Sequence, residues 1–234
     1  NATIKGCIYH FAPYIGCVMA QKTREIAVIT GDIVGSTALG AQKLERAMAA
    51  LAECAEAQAS WHGESLRFTR NRGDGWQVAL ARPEMALRSA LAFRAALRAE
   101  GSEFDSYFGI ATGPAPITLA DDLNVETETV FADSGSEMER LQEYHSFKFR
   151  MGYFEPGAQD AAFLLADHLS QGWTQPQAAA LLQLLDPNTD YSQTRIAKSL
   201  GKSRQAVAKS LKAASYDPLF AALSSIEIAG QEDD

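Results

Sequence analysis

Residues 25–30, Glu-Ile-Ala-Val-Ile-Thr, form a short β-branched apolar run, which predicts a strand buried on both faces. Further on, Leu44, Met48, Leu51 and Ala55 recur at helical spacing, with Lys43, Glu45, Arg46 and Glu53 elsewhere, so a helix is expected over 41–60. Residues 66–70 and 75–80 alternate in the two-residue period of strands, and Asn71-Arg72-Gly73-Asp74 makes the turn of a hairpin with Asp74 near its tip. Pro83 opens a helix reaching residue 100, with Leu87, Ala90, Leu91 and Leu97 on one face. Phe104, Phe108 and Ile110 are in phase for a strand over 104–112, which Gly113-Pro114-Ala115-Pro116 is expected to stop. Residues 117–132 carry no clear pattern. Asp133 or Ser134 then caps a helix over 135–145, and 146–153 is the last strand candidate. Strand, helix, hairpin, helix, strand, helix, strand predicts an α+β fold, with an antiparallel or mixed sheet and helices on one face.

Past Pro156 only helical patterns remain, at 161–169, 176–185, 192–200 and 203–214, followed by an acidic end expected to fray. The expected organisation is an arm over 1–20, an α+β domain over 21–155, a small all-α domain over 156–225 and an acidic tail over 226–234. The arm is apolar between Cys7 and Cys17 but broken by Pro13 and Gly16, and it does not read as a signal peptide. Met19-Ala20-Gln21-Lys22 looks like a natural start.

A hydrophobic content of 47% supports a packed core, and a net charge of −8 argues against general affinity for nucleic acid or anionic membrane. No apolar run approaches the roughly 20 residues of a membrane helix. Cys7, Cys17 and Cys54 are odd in number and lack metal spacing, which suits a reducing cytoplasm. His10, His62, His145 and His168 form no ligand spacing either.

Two carboxylates carry the candidate chemistry. Asp32 ends the first strand, Gly35 permits a turn, and Ser36 or Thr37 can cap the following helix, whose free N–H groups favour phosphate. Asp74 lies 42 positions later in the hairpin. Taken singly, each acid is explained as a turn residue. Together, after an apolar strand and in a hairpin, they point to a metal and phosphate site, because two close acids repel unless a cation compensates them.

Asp32-Ile33-Val34-Gly35-Ser36-Thr37, Gly73-Asp74-Gly75 and Phe108-Gly109-Ile110-Ala111-Thr112-Gly113 resemble the motifs of the class III nucleotidyl (adenylate/guanylate) cyclase domain over about 26–150. The resemblance implies a ferredoxin-like, cyclase-like sheet and a homodimer with sites between subunits. It makes Asp32 and Asp74 ligands of Mg2+ or Mn2+, and gives Ile33, Gly35, Ser36 and Thr37 contacts to a nucleoside triphosphate. Arg70 falls at the purine-reading lysine and Thr129 at its usual acidic partner. Ser136-Glu137-Met138-Glu139-Arg140 aligns with Asn-x-x-x-Arg, so Ser136 stands at the ribose-positioning residue and Arg140 at the catalytic arginine. The chain departs from those motifs in the lost asparagine, the absent later lysine and the missing glycine-rich segment, and one lost transition-state donor costs about 100-fold or more in rate. Over the whole chain the order of motifs is similar to the SatD-like bacterial family, a short I-G-D-I-x-x-S domain followed by a helix-turn-helix.

That second motif spans 191–211. Ile196, Ala197 and Leu200 form the inner face of a first helix, Gly201 allows the turn, Ser203 caps a second helix, and Val207 and Leu211 return to the core. Arg195, Lys198, Lys202, Arg204, Lys209 and Lys212 occur without one acid between Tyr191 and Tyr216. The arrangement resembles the helix-turn-helix of winged-helix regulators, without a clear wing after Ala214. Double-stranded DNA is then the partner of Lys202, Ser203, Arg204, Gln205 and Lys209, with Arg204 and Gln205 as base readers. The bland alternative is a helical hairpin for dimerisation with a solvated basic face. Trp173 and Tyr216 read as packing residues. The expected whole is a cytoplasmic, dimeric, nucleotide-responsive DNA-binding regulator. The alternatives are an active nucleotidyl cyclase or related metal-dependent nucleotide enzyme with a helical assembly domain, and a degenerate domain serving as a scaffold.

Overall fold

Strand β1 (Thr23–Ile33) is the axis of the molecule. Its side chains alternate between two buried layers: Ile26 and Val28 on one face, Ala27 and Ile29 on the other, all fully buried. A one-turn helix α1 (Ser36–Leu39) and the long α2 (Ala41–His62) follow. The hairpin β2 (Thr69–Asn71) and β3 (Gly75–Leu80) leads to α3 (Ala86–Glu100) and β4 (Ser106–Pro116). Then come α4 (Thr129–Glu143) and β5 (Met151–Tyr153). This computed structural model describes residues 22–71, 73–143, 148–189 and 192–232. The predicted arm, with Cys7, His10 and Cys17, lies outside the described residues, as do Arg72, His145, Tyr191 and the last two residues of the tail.

The strands form one five-stranded mixed sheet in the order β2-β3-β1-β4-β5. β1 pairs antiparallel with β3 and β4, and β5 runs parallel to β4. A parallel pair needs a crossover, and α4 supplies it. The fold class is α+β, as expected. Helices cover both faces, however, not one. Ala27, Ile29, Trp76, Val78, Phe108 and Ile110 pack toward α2 and α3, whereas Ile26, Val28, Ala79 and Ala111 pack toward Val130 and Phe131 of α4. A strand apolar on both faces requires the second layer.

Four boundaries differ from expectation for identifiable reasons. Arg67 adopts a left-handed φ of 51°, which interrupts the predicted 66–70 strand, although Leu66 still accepts a hydrogen bond from Ala79 N–H (3.0 Å). β4 runs through Pro114 and Pro116. Its even-numbered amides face the β5 side, as Phe108 N–H to Arg150 O (2.7 Å) demonstrates, and β5 reaches only Ile110. Neither missing proline N–H is needed there. α4 begins at Thr129, a turn and a half before the expected start, because Val130 and Phe131 extend its buried stripe through Ser134, Glu137 and Leu141. Ser134 is thus no cap but a buried mid-helix residue, 2.7 Å from Thr30 Oγ1. The last strand shrinks to three residues.

The remaining helices are α5 (Ala158–Gln171), α6 (Gln175–Leu185), α7 (Gln193–Ser199), α8 (Arg204–Ala213) and α9 (Tyr216–Glu232). The apolar core of the α2–α3 layer continues into them through Phe163, Leu181, Leu184, Ile196, Val207, Leu211 and Leu223. α3 lies between the sheet and α6 and is buried almost all round. Its arginines are therefore paired inside: Arg94 with Asp167 (2.6 Å), and Arg98 with Asp105 (2.6 Å). The acidic end does not fray as expected. Tyr216, Leu219 and Leu223 recur at helical spacing and are buried, and Arg88, buried in α3, donates twice to Glu227 (2.6 and 2.8 Å).

Candidate functional site

β1 carries Asp32 to its end on the α4 side of the sheet, opposite Gly75 of β3. The hairpin thereby places Asp74 beside Asp32, and Ile33 N–H donates to the Asp74 carbonyl (3.2 Å). Trp76 braces the pair from the opposite face. A Cβ on Gly31 would overlap its indole, so glycine lets the ring lie flat beneath β1. The indole N–H donates to Ser106 Oγ (3.0 Å), and that hydroxyl lies 2.9 Å from the Asp32 carbonyl, an acceptor for it.

Both carboxylates have neutral donors. Ser36 Oγ donates to Asp74 Oδ2, and Gln142 Nε2 of α4 donates to Asp32 Oδ2 (2.8 Å). Burial, then the charge of Asp74, pushes the Asp32 carboxyl up to about 6, against the opposing hydrogen bond from Gln142. Thr30, Asn71, Gln77 and Met138 complete a small cavity of about 170 Å³ over the two acids.

The turn after Asp32 departs from expectation in one respect. Gly35, at φ 64°, occupies the cap position of α1, and no side chain caps the helix. Ser36 turns its hydroxyl to Asp74 instead, and Thr37 is exposed. The long α2 starts only at Ala41, so the helix start beside Asp32 is a single turn with a correspondingly small dipole.

Asp32, Ser36, Asp74 and the Ile33 main chain are brought together. The other residues suggested by the cyclase motifs lie elsewhere. Arg70 is exposed on β2, donating to Gly73 O (2.7 Å) and pairing with Glu45 of α2 (2.9 Å). Thr129 is exposed at the first turn of α4, while Gln142 lies in its last. Ser136 and Arg140 line a separate pocket of about 350 Å³ with Tyr153, Phe154 and Asp160, and Arg140 makes a two-point ion pair with Glu137 (2.6 and 2.7 Å). Sequence reasoning missed Gln142 and Ser106. The spacing of Ser134, Met138 and Gln142 by four would have revealed the first, once α4 was placed against the sheet.

Among the described residues, no three His, Cys, Asp or Glu side chains converge on one point. A cation over the pair would find two carboxylates, with the Ser36 hydroxyl beside one of them. This all-oxygen set fits a hard ion such as Mg2+ or Mn2+, which retains waters and is commonly held by one or two carboxylates plus substrate phosphates. Burial is the larger reason that Asp32 is raised, and the charge of Asp74 the second; a cation between the two acids would relieve the second.

The second candidate surface is the α7–α8 pair. Ser192 Oγ accepts from Arg195 N–H (3.3 Å), and Ser203 Oγ accepts from Ala206 N–H (3.2 Å), so both helices are capped. Gly201 takes the left-handed φ of 61° that the turn between them requires. Ile196, Ala197, Val207 and Leu211 are buried, while Lys202, Ser203, Arg204, Gln205 and Lys209 are exposed. α9 follows α8 directly, so no strand lies beside the pair among the described residues. Trp173 and Tyr216 pack in the core, as expected, the indole N–H donating to Ala214 O (3.1 Å).

No protein-family model matches the chain, and no curated protein matches it. Among the described residues no helix is long and apolar enough to cross a membrane.

Proposed function

We propose that the chain is a nucleotide-responsive DNA-binding regulator. Its acid pair would take the phosphates of a nucleotide with Mg2+ or Mn2+, and its α7–α8 helix-turn-helix would take duplex DNA. The observation that carries the reading is the exposed basic face of α8, begun by a Ser203 cap and set on a glycine turn. Capped, packed and basic on its free side, α8 has what a recognition helix needs: fixed orientation, phosphate-neutralising charge and side chains able to reach base edges. In an acidic protein, charge concentrated there favours a polyanionic partner on this face.

The acid pair supports the ligand half. Its cavity of about 170 Å³ accommodates a cation and phosphate oxygens. It is smaller than the roughly 300–1,000 Å³ that encloses a drug-sized ligand. The nucleoside would therefore rest on open surface or against a second subunit, and a homodimer would also present two recognition helices to paired half-sites.

One observation favours a second reading, an active cyclase. The first four strands take the order β2-β3-β1-β4 with antiparallel neighbours, an order compatible with a ferredoxin-like sheet, and Asp32 and Asp74 meet where β1 ends beside the β2–β3 turn. Arg140 would then have to act from a partner subunit, since it lines a different pocket from the acids of its own chain.

Duplex titrations at several salt concentrations test the DNA half. Binding should fall steeply with salt, and Arg204→Ala should weaken it by about 1–3 kcal/mol. Absence of binding at low salt contradicts the proposal. Metal-dependent pyrophosphate release from ATP or GTP, abolished in Asp74→Ala, would support the second reading.

A further inference from the structure

The geometry points to Gln142 as a positioning residue that presents Asp32 to the cation, an inference that rests on reading the acid pair as a cation site. α4 is held against the sheet at fixed height. A Cβ on Gly109 would overlap Ser134 O and Met138 N, so this glycine lets the helix backbone touch β4. Thr30 Oγ1 lies 2.7 Å from Ser134 Oγ and accepts from Gln77 Nε2 (2.7 Å), tying helix, β1 and β3 into one polar contact. One turn beyond Ser134, Met138 reaches the acid cavity. One turn further, Gln142 Nε2 lies 2.8 Å from Asp32 Oδ2.

The chemistry of the amide sets the role. Its NH2 group only donates, so it cannot ligate a cation through that atom. By occupying one lone pair of Oδ2 it fixes the rotation of the carboxylate and favours its charged form. Ser36 does the same for Asp74 through its hydroxyl. Each acid therefore meets the cavity with one oxygen held by a neutral donor, the arrangement by which outer partners orient metal-binding carboxylates.

Mn2+ binding, followed by the loss of the free-ion paramagnetic resonance signal, tests this on the full chain. The variants are Gln142→Ala, Gln142→Met, which keeps the bulk of the side chain without the donor, and Asp32→Ala. Wild type is expected to bind Mn2+ and Asp32→Ala to lose it. Both Gln142 variants should bind about 10-fold more weakly, the usual cost of removing such a partner. The metal-free urea midpoint of Gln142→Met should fall by no more than one lost hydrogen bond implies, leaving the variant folded under the binding conditions. Wild-type affinity in Gln142→Met would overturn the positioning role while leaving the cation site standing. No Mn2+ binding by wild type, or undiminished binding by Asp32→Ala, would overturn the site and the inference together.

Discussion

Asp32 and Asp74 oppose one another because the β1–β3 register leaves them no choice. Asp32 faces Gly75, and Asp74 is the residue before it. The Asp32 carboxyl, raised to about 6, stabilises the fold below its ordinary value of 3.8 and loses that contribution as pH rises through 6. At neutral pH the metal-free pair is therefore a net cost. Asp74→Asn should raise metal-free stability by about 1 kcal/mol after solvent screening, read as a higher urea midpoint. His62 works in the opposite pH direction. It is buried, its Nδ1 accepting from Arg82 N–H (3.3 Å) and its Nε2 lying 3.0 Å from Ser89 Oγ. Burial, then the charge of Arg82, holds it down to about 4, from an ordinary 6.5. The unfolded chain binds the extra proton first, so stability is full above 6.5 and declines as pH falls toward 4, by up to about 3 kcal/mol. Asp32 pulls the other way over the same window, so these two groups should leave wild type nearly flat in urea titrations, and His62→Gln should expose a stability that rises as pH falls. At this scale the acids were legible because each follows a recognisable local pattern. Gln142 and Ser106 were not, because their roles exist only once α4 and β4 lie against β1.

The placement of α4 is the element on which the site depends. Its start is hidden in the sequence because Ser134, a polar residue in an apolar stripe, looks like a cap, whereas its hydroxyl meets Thr30 in mid-helix. The second helical layer was implied by the doubly apolar 25–30 run, yet period alone does not say which later segment supplies it. β4 was cut short because prolines break central strands, and only the sheet order reveals that these two lie at a free edge. Gly109→Ala tests the close approach of α4. The added Cβ meets helix backbone, which cannot rotate away, so a loss of about 1–3 kcal/mol is expected in chemical unfolding, together with weaker Mn2+ binding. The C-terminal helices were the most legible elements, being bounded by Pro176, Ser192, Gly201 and Ser203. α9 was missed because its acidic surface hid the repeat of Tyr216, Leu219 and Leu223.

At the scale of the molecule, the acid pair and the basic helix are set on one continuous core. α3 packs against the sheet on one side and α6 on the other, and α6 supports α8. A change at the end of β1 thus has a packed route toward α8 through α3 and α6. Deleting α9 from Tyr216 onward would strip Leu219 and Leu223 from that core and leave Arg88 buried without Glu227. Thermal unfolding should then occur well below the wild-type temperature, by 10 °C or more on the scale of about 2–4 °C per kcal/mol. The most direct measurement of the central claim is the affinity for duplex DNA, by fluorescence anisotropy at fixed salt, with and without ATP or GTP and Mg2+, in wild type and Asp74→Ala. The account predicts salt-sensitive binding that one nucleotide changes by about 5-fold or more in wild type and leaves unchanged in Asp74→Ala. Duplex binding that is absent at low salt, or indifferent to every nucleotide, would contradict it.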